Sequence, residues 1–111
     1  MLVPTTKLRL VMVMIDRHEE AVQLIQTLMS EQLIYFGVIS PPVYSLLGWH
    51  GMVREAKEHT MWLLSSVDHL NDLERRIDEL HPSDNPILLI LPLSEVSSPV
   101  ATIVTGSWKE D

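Results

Sequence analysis

A chain of 111 residues, 46 % hydrophobic and 21 % charged, supplies one domain and excludes two. Fifteen Asp+Glu against eight Lys+Arg give a formal charge of −7, which argues against nucleic acid and anionic membrane as partners and favours cations or basic protein surfaces. With no cysteine, a disulfide framework, an iron–sulfur cluster, a thiolate metal site and a cysteine nucleophile are all excluded.

Residues 1 to 6 read as an N-terminal extension. They hold no apolar stretch ahead of a cleavage site, and no run in the chain approaches the ~20 apolar residues of a membrane span, so the sequence points to a cytoplasmic protein. Residues 7 to 15, Lys-Leu-Arg-Leu-Val-Met-Val-Met-Ile, begin in alternation and become continuously apolar. That pattern suits a strand that starts at an edge and ends buried on both faces. Asp16 and Glu19 have the spacing of a capping box, which predicts a helix starting at Asp16. Ala21, Leu24, Ile25, Leu28, Met29 and Leu33 form its apolar stripe.

Residues 33 to 47 are strand-like but carry Pro41-Pro42, so this second strand is expected to be interrupted. Gly48-Trp49-His50-Gly51 punctuates a hairpin, and a strand over 52 to 66 follows. Its polar first half (Arg54, Glu55, Lys57, Glu58, His59) should project beyond the core as an arm. Ser65 or Ser66 can cap a second helix with Leu70, Leu73, Ile77 and Leu80 on one stripe, ended by His81-Pro82. Residues 86 to 93 read as a buried strand bounded by prolines. From 94 onward, Val100, Ile103 and Val104 fit a helical turn or a short strand equally.

The order βαββαβ predicts an α+β fold: a ferredoxin-like sandwich, an antiparallel sheet with two helices on one face, spanning residues 7 to 108, with 109 to 111 as a tail. The first and last strands are apolar at successive positions, and no third helix of sufficient length covers the second face. At ~25 cal/mol per Å² of apolar surface, a wet face would forfeit several kcal/mol, so association of identical chains is part of the fold.

The helix end Glu31-Gln32-Leu33 is one marker. The segment Tyr44-Ser45-Leu46-Leu47-Gly48-Trp49-His50-Gly51-Met52-Val53 is similar to an S-x-Y-x-W-x-G-x-V pattern, and Leu80-His81-Pro82 precedes Pro86 and a strand to Pro92-Leu93. In this order they resemble the CutA family over residues 7 to 93. The resemblance implies a homotrimer associated with divalent-cation tolerance and the response to metal ions, including copper binding, with clefts between subunits. The chain also departs from the family. Phe36 stands where a cysteine is usual, Ser83 follows His-Pro in place of a tyrosine, and 96 to 108 replaces an aromatic-rich C-terminal helix. Metal binding that depended on that cysteine cannot operate here.

Five histidines, at 18, 50, 59, 69 and 81, invite a cation such as copper or zinc, but none has an HxH or HExxH spacing. A site must therefore be assembled by the fold or between subunits. His50 in the hairpin turn and His81 before Pro82 are the candidate metal ligands, against surface and helix-end roles. Met12 and Met14 share a strand face and suit a soft cation, but are read as core filling. Trp49 at a turn is read as an intersubunit anchor, with Tyr44 and Trp62 in the same interface. No nucleophile elbow, paired base or phosphate loop appears, so no enzyme and no resident cofactor is expected. The rival readings are a PII-like small-molecule sensor and a protein-interaction scaffold.

Overall fold

The computed structural model describes residues 1–106; Trp108 and the tail 109 to 111 lie outside the described residues. In chain order the elements are β1 (Leu2–Pro4), β2 (Leu8–Ile15), α1 (His18–Ser30), β3 (Phe36–Ile39), β4 (Val43–Trp49) and β5 (Met52–Ser66). After a 3-10 turn at Val67–His69 come α2 (Leu70–Leu80), β6 (Leu88–Pro92), β7 (Glu95–Ser97) and α3 (Ser98–Gly106). The main sheet runs β3-β5-β2-β6, antiparallel at every step. This is the expected ferredoxin-like sandwich. Beneath α1 and α2, Val11, Val13, Met61 and Leu63 pack against Leu24, Ile25, Leu28, Leu73 and Ile77. Gly37 lets α1 approach this closely: a Cβ there would lie 3.0 Å from Leu63 and 3.1 Å from Ile25.

The second strand is interrupted as its prolines predict. β3 and β4 line the same edge of β5, separated at Pro41-Pro42, with β3 facing Met61 to Leu64 and β4 facing Met52 to Glu58. Of the two alternatives for Val100, Ile103 and Val104 the structure takes the helix, since all three lie in α3. β7 pairs with β1, and α3 packs on that small ribbon.

Three local expectations are corrected. The Asp16–Glu19 capping box does not form. Ile15 is still paired with His59, so the chain needs residues 16 and 17 to turn onto the sheet face, and Arg17 takes the cap position without a side-chain bond. Met29 is off the stripe and 40 % exposed. Residues 88 to 92 are not buried in the single chain, because β6 is an edge strand hydrogen-bonded only to β2, and even Ile90, on the helix side, stays 43 % exposed.

The end of α1 is a Schellman cap: Leu33 N–H reaches the Leu28 carbonyl and Gln32 N–H the Met29 carbonyl, both at 3.0 Å. This requires Gln32 at φ 62°. Leu33 then tucks under the sheet beside Ser65, whose buried hydroxyl donates to the Leu33 carbonyl at 2.8 Å. In α2, Leu73 and Ile77 are buried, and the helix stops at His81 with extended backbone, as Pro82 requires.

Candidate functional site

Alternation along the strands sorts side chains to two faces. Opposite the helices, cross-strand register aligns two apolar rows, Phe36–Leu64–Leu10–Leu91 and Val38–Trp62–Met12–Leu89. Val38 is 52 % exposed and Leu89 53 %. Met12 and Met14 therefore stand half-buried on this open face, not inside the helix-covered core. Trp62, one of the expected interface residues, sits at the centre of the second row.

The β4–β5 hairpin leaves the sandwich as an arm and stretches the molecule to 48 × 27 × 25 Å. Its radius of gyration, 15.0 Å, exceeds the ~13 Å of a compact chain this long. Trp49 pairs with Met52 around His50 at φ 49° and Gly51 at φ 76°. Positive φ at both central residues makes this a type I′ turn, whose twist matches the strands it joins. Trp49, Leu46, Met52 and Val53 are all more than half exposed. Tyr44, 57 % exposed, has its phenol pushed above the usual range by a hydrogen bond to Glu55 and by partial burial.

The two candidate metal ligands are far apart. His50 is at the arm tip, where its ring meets the Trp49 indole edge to face at 4.8 Å. His81 lies at the foot of the arm. Its Nε2 is 2.7 Å from the Met14 carbonyl oxygen, and its Nδ1 accepts from the Ser83 N–H at 3.0 Å. Because Nδ1 accepts, Nε2 carries the proton and donates to Met14, so both ring nitrogens are engaged. Met14 faces Thr60, and at ~3.3 Å per residue the strand from there to the turn covers ~30 Å. One ion cannot touch both imidazoles of one chain. Among the described residues no group of three or more His, Asp or Glu side chains gathers around a common point.

The register makes a different pairing that reading the histidines one by one missed. His59 faces Ile15 across the β2–β5 ladder, and His18 follows Ile15 by three residues. Their rings stand 5.7 Å apart. A register deduced from the sequence would have revealed this; periodicity alone does not.

Elsewhere, Arg76 bridges the two helices. Its guanidinium grips Glu31 through two bonds of 2.7 Å and reaches Glu79 at 3.1 Å. The hydrogen bond from Arg76 holds the Glu31 carboxyl below its ordinary pKa of 4.5, and the cations Arg76 and Arg75 add to this against partial desolvation. A cleft of about 370 Å³ lies between the β1–β7–α3 layer and the end of the main sheet, walled by Val3, Pro4, Leu8, Val96, Ala101 and Val104. No helix among the described residues is long and apolar enough to cross a membrane.

The fold and its site define a small ferredoxin-like protein with a long hairpin arm and one uncovered apolar face. Residues 9–106 match the family model described as CutA1 divalent ion tolerance protein, and the chain belongs to that family. It is 30 % identical over 89 residues, 80 % of this chain and 81 % of the relative, to a divalent-cation tolerance protein CutA of Pectobacterium atrosepticum. With a protein of the same description from Pyrococcus horikoshii the identity is 30 % over 79 residues, 71 % of this chain and 76 % of the relative. The structure of CutA from Synechococcus elongatus superimposes with a TM-score of 0.88 at 26 % identity, covering 98 % of this chain and 96 % of that one.

Proposed function

We propose that this chain acts as a homotrimer without catalytic chemistry in divalent-cation tolerance, in the cytoplasm. The observation that supports the assembly is the apolar row Val38–Trp62–Met12–Leu89 on the open sheet face, whose two end residues stand more than half exposed in the single chain. Trp62 then lies in the contact between subunits, and the arm docks on a neighbour through Trp49 and Tyr44. Copper or zinc binds weakly in the clefts so formed. His50 at one subunit's tip supplies an imidazole there, and His81 of a neighbour joins it by exchanging its bond to the Met14 carbonyl for the ion.

Sedimentation equilibrium at micromolar concentration tests the assembly. The expected particle has three times the 12.7 kDa chain mass, and a 12.7 kDa species overturns the reading. Calorimetric titration with Cu(II) or Zn(II) tests the cation, with binding expected to fall in His50→Ala. The cleft beside α3 favours a second reading, a PII-like small-molecule sensor or interaction scaffold without a metal site. A thermal shift with a metabolite and none with cations would select it.

A further inference from the structure

His18 is the first residue of α1, and the two-residue link from β2 carries it back over the rung that holds His59. The rings meet edge to face, centroids 5.7 Å apart and planes at 61°. His59 Nδ1 lies 2.9 Å from the Ser40 carbonyl oxygen. A carbonyl oxygen only accepts, so Nδ1 carries the proton and the neutral ring keeps its lone pair on Nε2. Ser40 is itself fixed, its hydroxyl accepting from Thr60 N–H at 2.8 Å and donating to the Pro41 carbonyl at 2.7 Å. A histidine whose Nδ1–H is held by a carbonyl while Nε2 stays open is oriented as metal-ligating histidines are. His18 is exposed and makes no hydrogen bond among the described residues, so its ring is free to turn toward the same ion.

Two imidazoles on one ion, with metal–nitrogen bonds of ~2.0–2.1 Å and angles of about 90–130° at the metal, hold their centroids ~4.5–5.7 Å apart. The observed separation is at the upper end of that range and closes further by rotation of His18. Arg17, the adjacent cation, is turned to Glu20 at 3.8 Å, and the net charge of −7 favours the approach of a dication.

We propose that His18 and His59 form a two-imidazole site for a transition-metal dication, Cu(II), Ni(II) or Zn(II), with water completing the coordination. Neutral nitrogen donors suit these ions, whereas Mg²⁺ and Ca²⁺ require oxygen. The inference rests on the divalent-cation reading for its class of ligand, but not on His50, His81 or the trimer, since both ligands belong to one chain.

The test is calorimetric titration of the whole protein with each of the three chlorides in turn at neutral pH. One ion per chain is expected at this pair, in addition to the weaker ion proposed for the clefts. His18→Ala and His59→Asn should each weaken binding at least tenfold, with His69→Ala as an unaffected control. Asparagine keeps an N–H donor for the Ser40 carbonyl, so His59→Asn separates loss of the ligand from loss of the fold, with far-UV circular dichroism as the check. Acidification should release the ion, because both imidazoles must be unprotonated to bind. Absence of saturable binding in the parent protein overturns this site and the cation reading together. Binding that survives both His18→Ala and His59→Asn overturns this site alone, and its loss in His50→Ala would then assign it to the arm.

Discussion

Val13 and Met12 are neighbours on the central strand, yet Val13 is wholly buried beneath the helices while Met12 is half-buried in an apolar row that nothing in its own chain covers. The molecule divides along that line. On the helix side the core is closed and no buried side-chain nitrogen or oxygen among the described residues lacks a partner. On the other side and along the arm, large apolar residues stand in solvent. One side is finished by a single chain, and the other is left open by it.

The strongest way to break this comparison is to cut into the closed side. Leu63 is 0 % exposed between α1 and the sheet, and Leu63→Ala should lower protomer stability by ~2–5 kcal/mol through lost transfer energy and a residual cavity. Urea unfolding measures it. A loss below ~1 kcal/mol would show that this core can collapse around a gap, and would weaken the distinction between the two sides.

The arm should behave in the opposite way. Trp49 is 54 % exposed, so the proposed docking would cover about half an indole of ~250 Å² and contribute ~3 kcal/mol at ~25 cal/mol per Å². Trp49→Ala should therefore raise the dissociation constant about a hundredfold per docked copy and leave far-UV circular dichroism unchanged; Trp49→Phe should be milder. Light scattering against concentration reads the effect. An alanine variant as tightly assembled as the parent would return Trp49 to its own hairpin.

The difference between the two regions also explains what could be read from sequence. Stripes such as Leu24-Ile25-Leu28 and Leu73-Ile77 predicted the helices because each buries against its own chain, and Pro41-Pro42 and His81-Pro82 broke elements where backbone chemistry demands it. The cap at Arg17 was illegible because strand pairing extends to Ile15 and overrides the local preference of Asp16. β6 looked buried because its composition records the burial it needs, while the single chain leaves it at an edge. The imidazole pair depends on a ladder register, which spacing within one segment cannot reveal.

A smaller effect joins the two helices. The Glu31 carboxyl is held below its ordinary pKa of 4.5, chiefly by the hydrogen bond from Arg76. A carboxyl depressed in the folded state stabilises fully above 4.5, and the contribution is lost as pH falls through the folded value. Glu31→Gln should thus flatten the decline of the thermal midpoint below about pH 4.5. A decline as steep as in the parent would assign acid sensitivity to other carboxylates, away from the helix pair.

Among the described residues, two other than glycine hold left-handed backbone, Gln32 at φ 62° and His50 at φ 49°, one on each side of the divide. Gln32 is the Schellman residue of α1, and the bonds it arranges bring Leu33 and Leu28 into the closed core. An L side chain in this conformation costs ~1–2 kcal/mol, part of which glycine returns through its greater freedom in the unfolded chain. Gln32→Gly should therefore raise protomer stability by ~0.5–1 kcal/mol, seen as a higher urea midpoint with an unchanged slope. His50→Gly relieves the same strain at the arm tip, but the turn supports no core, so its urea midpoint should move less. If both variants shift the midpoint equally, the arm unfolds together with the sandwich and the two regions are one cooperative unit. A larger shift for Gln32→Gly keeps them separate.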